Sequence, residues 1–202
     1  MVKKKATRPY HHGDLRAALL EVAEKALEKG GSETLSLREL SRELGVSSMA
    51  FRNHFANKQA LLDALAREGL NRLGVALNRA ISDREQDFDT RIIKFARAYV
   101  RFAMKHAALF RLMFLSKHRT GAPAELIEAS YRALAPGPAT VADGQASGAV
   151  VQGDPARLAL VVFSAVEGLI AISTDGQFFG QPLDRLTEEI VSQIILGLRP
   201  RL

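Results

Sequence analysis

The chain of 202 residues has no cysteine and no tryptophan, and only seven prolines and three tyrosines. Without cysteine there are no disulfides and no thiolate metal sites, which fits a reducing cytoplasm. The five histidines (His11, His12, His54, His106 and His118) show no HExxH or paired ExxH spacing. The metal-site patterns built on those spacings are therefore missing, and no metal is expected. No GxSxG, phosphate-binding Gly-rich loop or cysteine nucleophile is present, so neither an enzyme nor a cofactor is expected. No apolar run follows the N-terminal lysines, so no signal peptide is expected. The longest apolar run, Leu158 to Ile172, is 15 residues and contains Glu167. It reads as too short to span a membrane, and no membrane partner is expected.

What is present is apolar residues in helical register. Hydrophobic residues make up 47% of the chain, enough for a real core. Leu15, Ala18, Leu19, Val22, Ala23, Ala26 and Leu27 recur with a 3.6-residue period and predict a first helix ending at Gly30-Gly31. Ser36 and Glu39 form a capping box for a second helix, with Leu37, Leu40 and Leu44 as its apolar stripe. Gly45 closes that helix. Ser47 caps a short third helix in which Ala50, Phe51 and Phe55 face inward, and Asn57 caps a fourth.

Charged residues 82–87 read as a connector, followed by an amphipathic helix through Phe88, Ile92, Phe95, Tyr99 and Phe102. His106 to Leu115 continues as helix or as a kinked extension, Ser116 to Pro123 as loop and Ala124 to Ala135 as helix. Pro136-Gly137-Pro138 is expected to break the chain, and Thr140 to Gly153 has no clear period. Asp154-Pro155 starts a helix that is apolar almost all round, reaching about Ile172. Pro182 opens the last one, with Leu183, Leu186, Ile190, Ile194, Ile195 and Leu198 on its stripe. The reading is all-α: an N-terminal three-helix helix-turn-helix domain (1–60) and a C-terminal helical bundle (61–202).

A helix, a glycine turn and a short second helix form the pattern whose second helix enters the DNA major groove. The charge distribution agrees, because residues 1–60 carry 11 Lys/Arg against 7 Asp/Glu, most of the net +6. Lys3, Lys4, Lys5 and Arg8 form a basic leader for phosphates. Arg52 suits guanine or phosphate, Asn53 suits adenine, and Met49 suits a thymine methyl. Ser47 and Ser48 suit phosphate oxygens, and Lys58 at a helix N-terminus adds an ammonium to backbone N–H donors. Ser36, Arg38 and His54 complete the expected DNA-contacting set. A helical binding or adaptor protein without sequence-specific DNA affinity is the alternative from a different class.

The runs YHHGDLRAALLEVAEKALEKGG and LSLRELSRELGVSSMAFRNHFANKQALL resemble the TetR family of bacterial transcription regulators over residues 10 to about 66. Gly45, Val46, Ser47, His54, Phe55 and Lys58 match its motif. Arg52 stands where tyrosine is usual, and Asn53 where arginine is common. A subset of the family carries tryptophan, three residues, then His-Gly in the penultimate helix. Here the corresponding residues are Phe163, Glu167 and Gly168, and FRLMF (Phe110 to Phe114) also resembles that subset.

The resemblance implies a ligand-responsive regulator, expected to be a repressor, that binds a palindromic operator on double-stranded DNA. It also implies a small-molecule effector of unknown identity and a homodimer formed through the last two helices (about 154–172 and 182–198). Phe95, Tyr99, Phe102, Phe110, Met113, Phe114, Phe163 and Glu167 are the expected ligand-binding residues. Glu167 is the anomaly among them, because a carboxylate inside an apolar helix must find a partner.

Overall fold

The computed structural model describes residues 15–174 and 182–200, and Lys3, Lys4, Lys5, Arg8, His11 and His12 lie outside this range. The described residues are helical, with no strand among them: α1 (Leu15–Thr34), α2 (Leu37–Glu43), α3 (Ser48–Arg52), α4 (Lys58–Ala80), α5 (Phe88–Lys105), α6 (Ala107–His118), α7 (Ala124–Leu134), α8 (Pro136–Ala146), α9 (Pro155–Thr174) and α10 (Leu183–Leu198). The all-α expectation holds. The chain divides into two compact units, 1–65 and 66–202, with the division inside α4.

In the first unit, Leu19, Ala23, Leu27, Leu40, Phe51, Phe55 and Leu61 are buried together with Leu35. Gly31 adopts φ 74° and interrupts α1, the left-handed conformation that glycine takes at little cost. Leu37, expected on the buried stripe of α2, is only half-buried, whereas Ser41 is buried and its hydroxyl donates to the Leu37 carbonyl at 2.9 Å. That bond satisfies the buried polar atom within its own helix.

In the second unit, α5 is central. Its buried residues include Phe88, Ile92, Phe95, Tyr99, Val100 and Phe102, and it packs on α6, α8, α9 and α10. Arg91 is buried and donates to Asp143 of α8 at 2.9 Å. Arg97 and Arg101 pair with Glu188 and Asp184 of α10. These pairs fix α5 between its neighbours, although exposed ion pairs contribute only about 0–1 kcal/mol each.

Several expectations need correction. The loop expected from Ser116 begins later, because α6 continues to His118. Pro136 does separate α7 from α8, but it also occupies the first turn of α8. Proline costs nothing there, because that N–H has no intrahelical partner anyway. The segment without clear period is thus helical as far as Ala146.

On α10 Ile195 and Leu198 of the expected stripe are buried, but Thr187 and Val191 are buried with them, and Leu183, Leu186, Ile190 and Ile194 are only half-buried. The Thr187 hydroxyl is satisfied by the Leu183 carbonyl at 2.8 Å. The largest correction concerns α9. Asp154 caps it, its carboxylate accepting from Ala156 N at 2.8 Å, and small polar residues extend the apolar run. By length and composition, the stretch Pro155–Ser173 is enough to cross a membrane. Much of it is uncovered in the single chain, with Leu160, Val161 and Ile172 all exposed.

Candidate nucleic-acid interface and effector pocket

The short helix α3 is held by specific local bonds. The Ser36 hydroxyl oxygen accepts from Glu39 N at 3.5 Å, starting α2. Gly45 turns the chain at φ 67°, and Val46 N donates back to the Ser41 carbonyl at 2.9 Å. Ser47 Oγ accepts from Ala50 N at 3.1 Å, capping α3. Phe51 and Phe55 are buried with ring centroids 5.8 Å apart, and the Arg16 guanidinium lies 5.2 Å from the Phe55 centroid. This phenylalanine pair braces α3 from behind.

The other side of α3 is open. Ser48, Met49, Arg52, Asn53 and His54 are all exposed, Met49 to 66%. A methionine so exposed keeps most of its thioether arm available for apolar contact. Arg38 on α2 is exposed as well. Ser36 and Ser47 use their oxygens as caps and keep their hydroxyl hydrogens for donation.

Lys58 has a partner that the sequence did not disclose. Its ammonium donates to the Glu33 carbonyl at 3.1 Å, which ties the start of α4 to the end of α1. One of its three N–H donors is used in this way. Asn57 Oδ1 accepts from Ala60 N at 2.9 Å and caps α4.

The second unit contains a partly open cavity of about 500 Å³ lined by residues of α5, α7, α8 and α9. Phe95, Tyr99 and Phe163, three of the expected residues, line it. Ile92, Ala96, Tyr131, Leu134, Ala159 and Leu160 line it too and were not anticipated. Small and aliphatic residues at these positions look like ordinary core in a linear reading, and only the three-dimensional gap distinguishes them. Phe110, Met113 and Phe114 instead line a second, much smaller void of about 10 Å³, together with Leu70, Leu73 and Lys117. Phe102 lines neither cavity, and its ring packs on His106 with centroids 5.0 Å apart.

Tyr99 stands between the two spaces and borders both. The rings of Phe110 and Phe163 each meet it edge-on at 5.5 Å. Its hydroxyl donates to Glu167. Burial, reinforced by the Glu167 carboxylate, pushes the Tyr99 phenol far above its usual range, which keeps the donor proton in place. Lys117 lies 5.3 Å from the Phe114 ring centroid. Burial lowers its pKa, and the nearby Glu167 charge partly opposes that. Glu167 therefore answers a tyrosine hydroxyl and sits near an ammonium.

This combination, a braced short helix with an open polar face in one unit and an apolar cavity in the other, fits a helical DNA-binding regulator. Residues 19–65 match the family model for bacterial regulatory proteins of the tetR family, and residues 92–195 match that for the tetracyclin repressor-like C-terminal domain. A solved structure of a protein of unknown function from Rhodococcus sp. RHA1 is 41% identical, with 96% of this chain and 100% of that chain covered and a TM-score of 0.89.

The TetR family transcriptional regulator PfmR from Thermus thermophilus is 21% identical, with 90% and 99% covered and a TM-score of 0.67. A TetR family transcription regulator from Marinobacter aquaeolei is 19% identical, with 92% and 96% covered and a TM-score of 0.72. No curated protein matches significantly. The chain belongs to the TetR family of bacterial transcription regulators.

Proposed function

We propose that the chain is a ligand-responsive repressor that binds a palindromic operator as a homodimer, with α3 in the major groove. The observation that carries this reading is the open face of α3, with Ser48, Met49, Arg52 and Asn53 exposed behind a buried Phe51. Arg52 and Asn53 read bases. Ser36, Arg38, Ser47, Ser48, His54 and Lys58 hold phosphates, and the basic leader of Lys3, Lys4, Lys5 and Arg8 adds to them. In this reading residues 1–60 bind DNA, and residues 61–202 bind ligand and a second copy.

The dimer follows from uncovered apolar surface. Leu160, Val161 and Ile172 on α9 and Leu196 on α10 are exposed in the single chain. A second copy buries them, and this accounts for the apolar character of α9 without a membrane. Two-fold symmetry then sets the reading helices about 34–36 Å apart, one DNA turn. The protein acts in the cytoplasm, where its DNA is.

The effector enters the cavity bordered by Phe95, Tyr99 and Phe163. It acts on DNA affinity only through unequal affinity for two spacings of the reading helices. The helix α4 carries the change, since it runs from the first unit into the second.

A gel shift with genomic fragments across a salt series tests the reading. Operator affinity is expected to fall steeply with salt as phosphate contacts release counterions. Arg52→Ala is expected to cost about 1–3 kcal/mol and to relax base preference at one position. Affinity for no fragment at any salt would return the chain to the adaptor alternative.

A further inference from the structure

We propose that the effector is an uncharged, hydrocarbon-rich molecule of on the order of 20 non-hydrogen atoms, carrying at most one hydroxyl-type hydrogen-bonding group. The proposal rests on the ligand-responsive reading above and names the chemistry of its ligand.

The cavity volume sets the size. A cavity of ~150 Å³ holds the six carbons of benzene. In proportion, the 500 Å³ here holds about three times as many, or on the order of 20. That volume lies within the usual range for small-molecule pockets.

The lining sets the polarity. Every wall residue is aliphatic, aromatic, alanine, glycine or proline, and none carries a charge. Among the described residues, the only side-chain polar atoms on the wall are the hydroxyls of Tyr99 and Tyr131. Tyr131 is 75% exposed, which puts water within its reach. The Tyr99 hydroxyl donates to Glu167 and offers the ligand only acceptor lone pairs.

The charges close to this wall answer each other and not the cavity. Glu167 accepts the Tyr99 hydrogen bond, and Lys117 borders the small void that Tyr99 also borders. A ligand carboxylate or ammonium inside the large cavity would be desolvated with no opposite charge on the wall, which is costly. A single neutral hydroxyl is accommodated, because it can donate to Tyr99 Oη.

The test uses the full chain and needs no DNA. Nile red, a neutral apolar dye, is titrated by fluorescence and then displaced at neutral pH by 1-decanol below its solubility limit, or by decanoate or decylammonium below their micelle concentrations. Nile red is expected to bind and 1-decanol to displace it. The two ions are expected to compete at least roughly tenfold less well. Ala159→Phe inside the cavity and Ala135→Phe at its wall are expected to abolish dye binding. Two variants, one on α9 and one at the junction of α7 and α8, guard against one that fails to fold.

Equal competition by decanoate or decylammonium would overturn the proposal. So would an absence of binding by both neutral probes, or dye binding that persists in both folded variants. The DNA reading fails separately: a chain that takes up the neutral probes yet shifts no DNA keeps the ligand class and loses the regulator.

Discussion

Replacing Phe51 by alanine is expected to abolish DNA binding while leaving the effector cavity intact. Phe51 is only 1% exposed, and its ring packs 5.8 Å from that of Phe55, which is 3% exposed. Removing a buried phenylalanine costs about 3–5 kcal/mol, part transfer and part cavity. A compact unit of 65 residues holds roughly 3–10 kcal/mol of stability at the usual 0.05–0.15 kcal/mol per residue. The loss is therefore comparable to the whole stability of that unit, and α3, at five residues, has no means of standing alone.

Hydrogen exchange resolved by peptide is the appropriate assay. Amides of residues 37–62 should lose protection, those of α5 and α9 should keep it, and Nile red should still bind. A variant that shifts the operator like the parent, with unchanged protection over residues 37–62, would refute the view that α3 is held in place by this aromatic pair.

Lys117→Met is expected to stabilise the protein at neutral pH. The folded pKa of Lys117 is depressed, chiefly by burial. Its contribution is therefore most favourable above the unfolded lysine value and is lost as pH falls through the folded value. Below the unfolded lysine value the folded state bears a desolvation cost that methionine removes. Denaturation midpoints of the two proteins should converge as pH rises towards about 10.4; a gap in favour of methionine that widens with pH would contradict this. Gly144→Ala is expected to destabilise, since the added Cβ would meet Phe88 Cδ2 at 2.7 Å and Val150 Cγ2 at 2.8 Å. Overpacking costs about 1–3 kcal/mol against a helix-propensity gain of at most about 1 kcal/mol, so calorimetry should show a lower Tm. Lys58→Ala should weaken all DNA sequences alike and reduce the salt slope by about one, and it should also loosen the bond to the Glu33 carbonyl, visible as faster exchange at the end of α1.

The parts of the fold that were legible in the sequence are those decided within one or two turns of helix. Ser36, Ser47 and Asn57 read as caps and each accepts the expected backbone N–H. Gly45 reads as a stop and takes positive φ. Phe51 and Phe55 read as inward by period and are buried. What escaped is what depends on distant chain. Nothing near Lys58 in sequence points to a carbonyl 25 residues earlier.

Thr187 is buried in place of larger apolar neighbours because it meets its own helix's carbonyl, a choice that hydrophobic period cannot show. The cavity was legible only in part: Phe95, Tyr99 and Phe163 were expected on its wall and lie there, whereas Ile92, Ala96, Leu134 and Ala159 read as ordinary core, and only the failure of α5, α7, α8 and α9 to close on each other makes them a wall. Glu167 was visible as an anomaly, and its partner Tyr99 sits 68 residues away.

Gly69 and Gly74 interrupt the apolar stripe of α4, which runs through Leu61, Leu62, Leu65, Leu73 and Leu77. A Cβ on Gly69 would lie 2.7 Å from Met113 Sδ on α6, and one on Gly74 would lie 3.1 Å from the Cα of Ala133 on α7. Both glycines let a neighbouring helix approach α4 closely. The obstacles differ in kind, however. Met113 has a flexible side chain that can yield, whereas Ala133 presents backbone, so α7 itself must move.

The helix α7 also contributes Tyr131 and Leu134 to the cavity wall. A ligand that displaces α7 thus acts on α4 through the Gly74 contact, where few flexible atoms intervene. Gly74→Ala is therefore expected to blunt the effect of ligand on operator affinity by several-fold, the scale of a coupling energy of about 1 kcal/mol. Gly69→Ala should alter that coupling far less, because Met113 can absorb the added methyl. Operator affinity measured with and without saturating 1-decanol in the parent and both variants decides the matter. Equal loss of coupling in the two variants, or none in Gly74→Ala, would separate α7 from the signal.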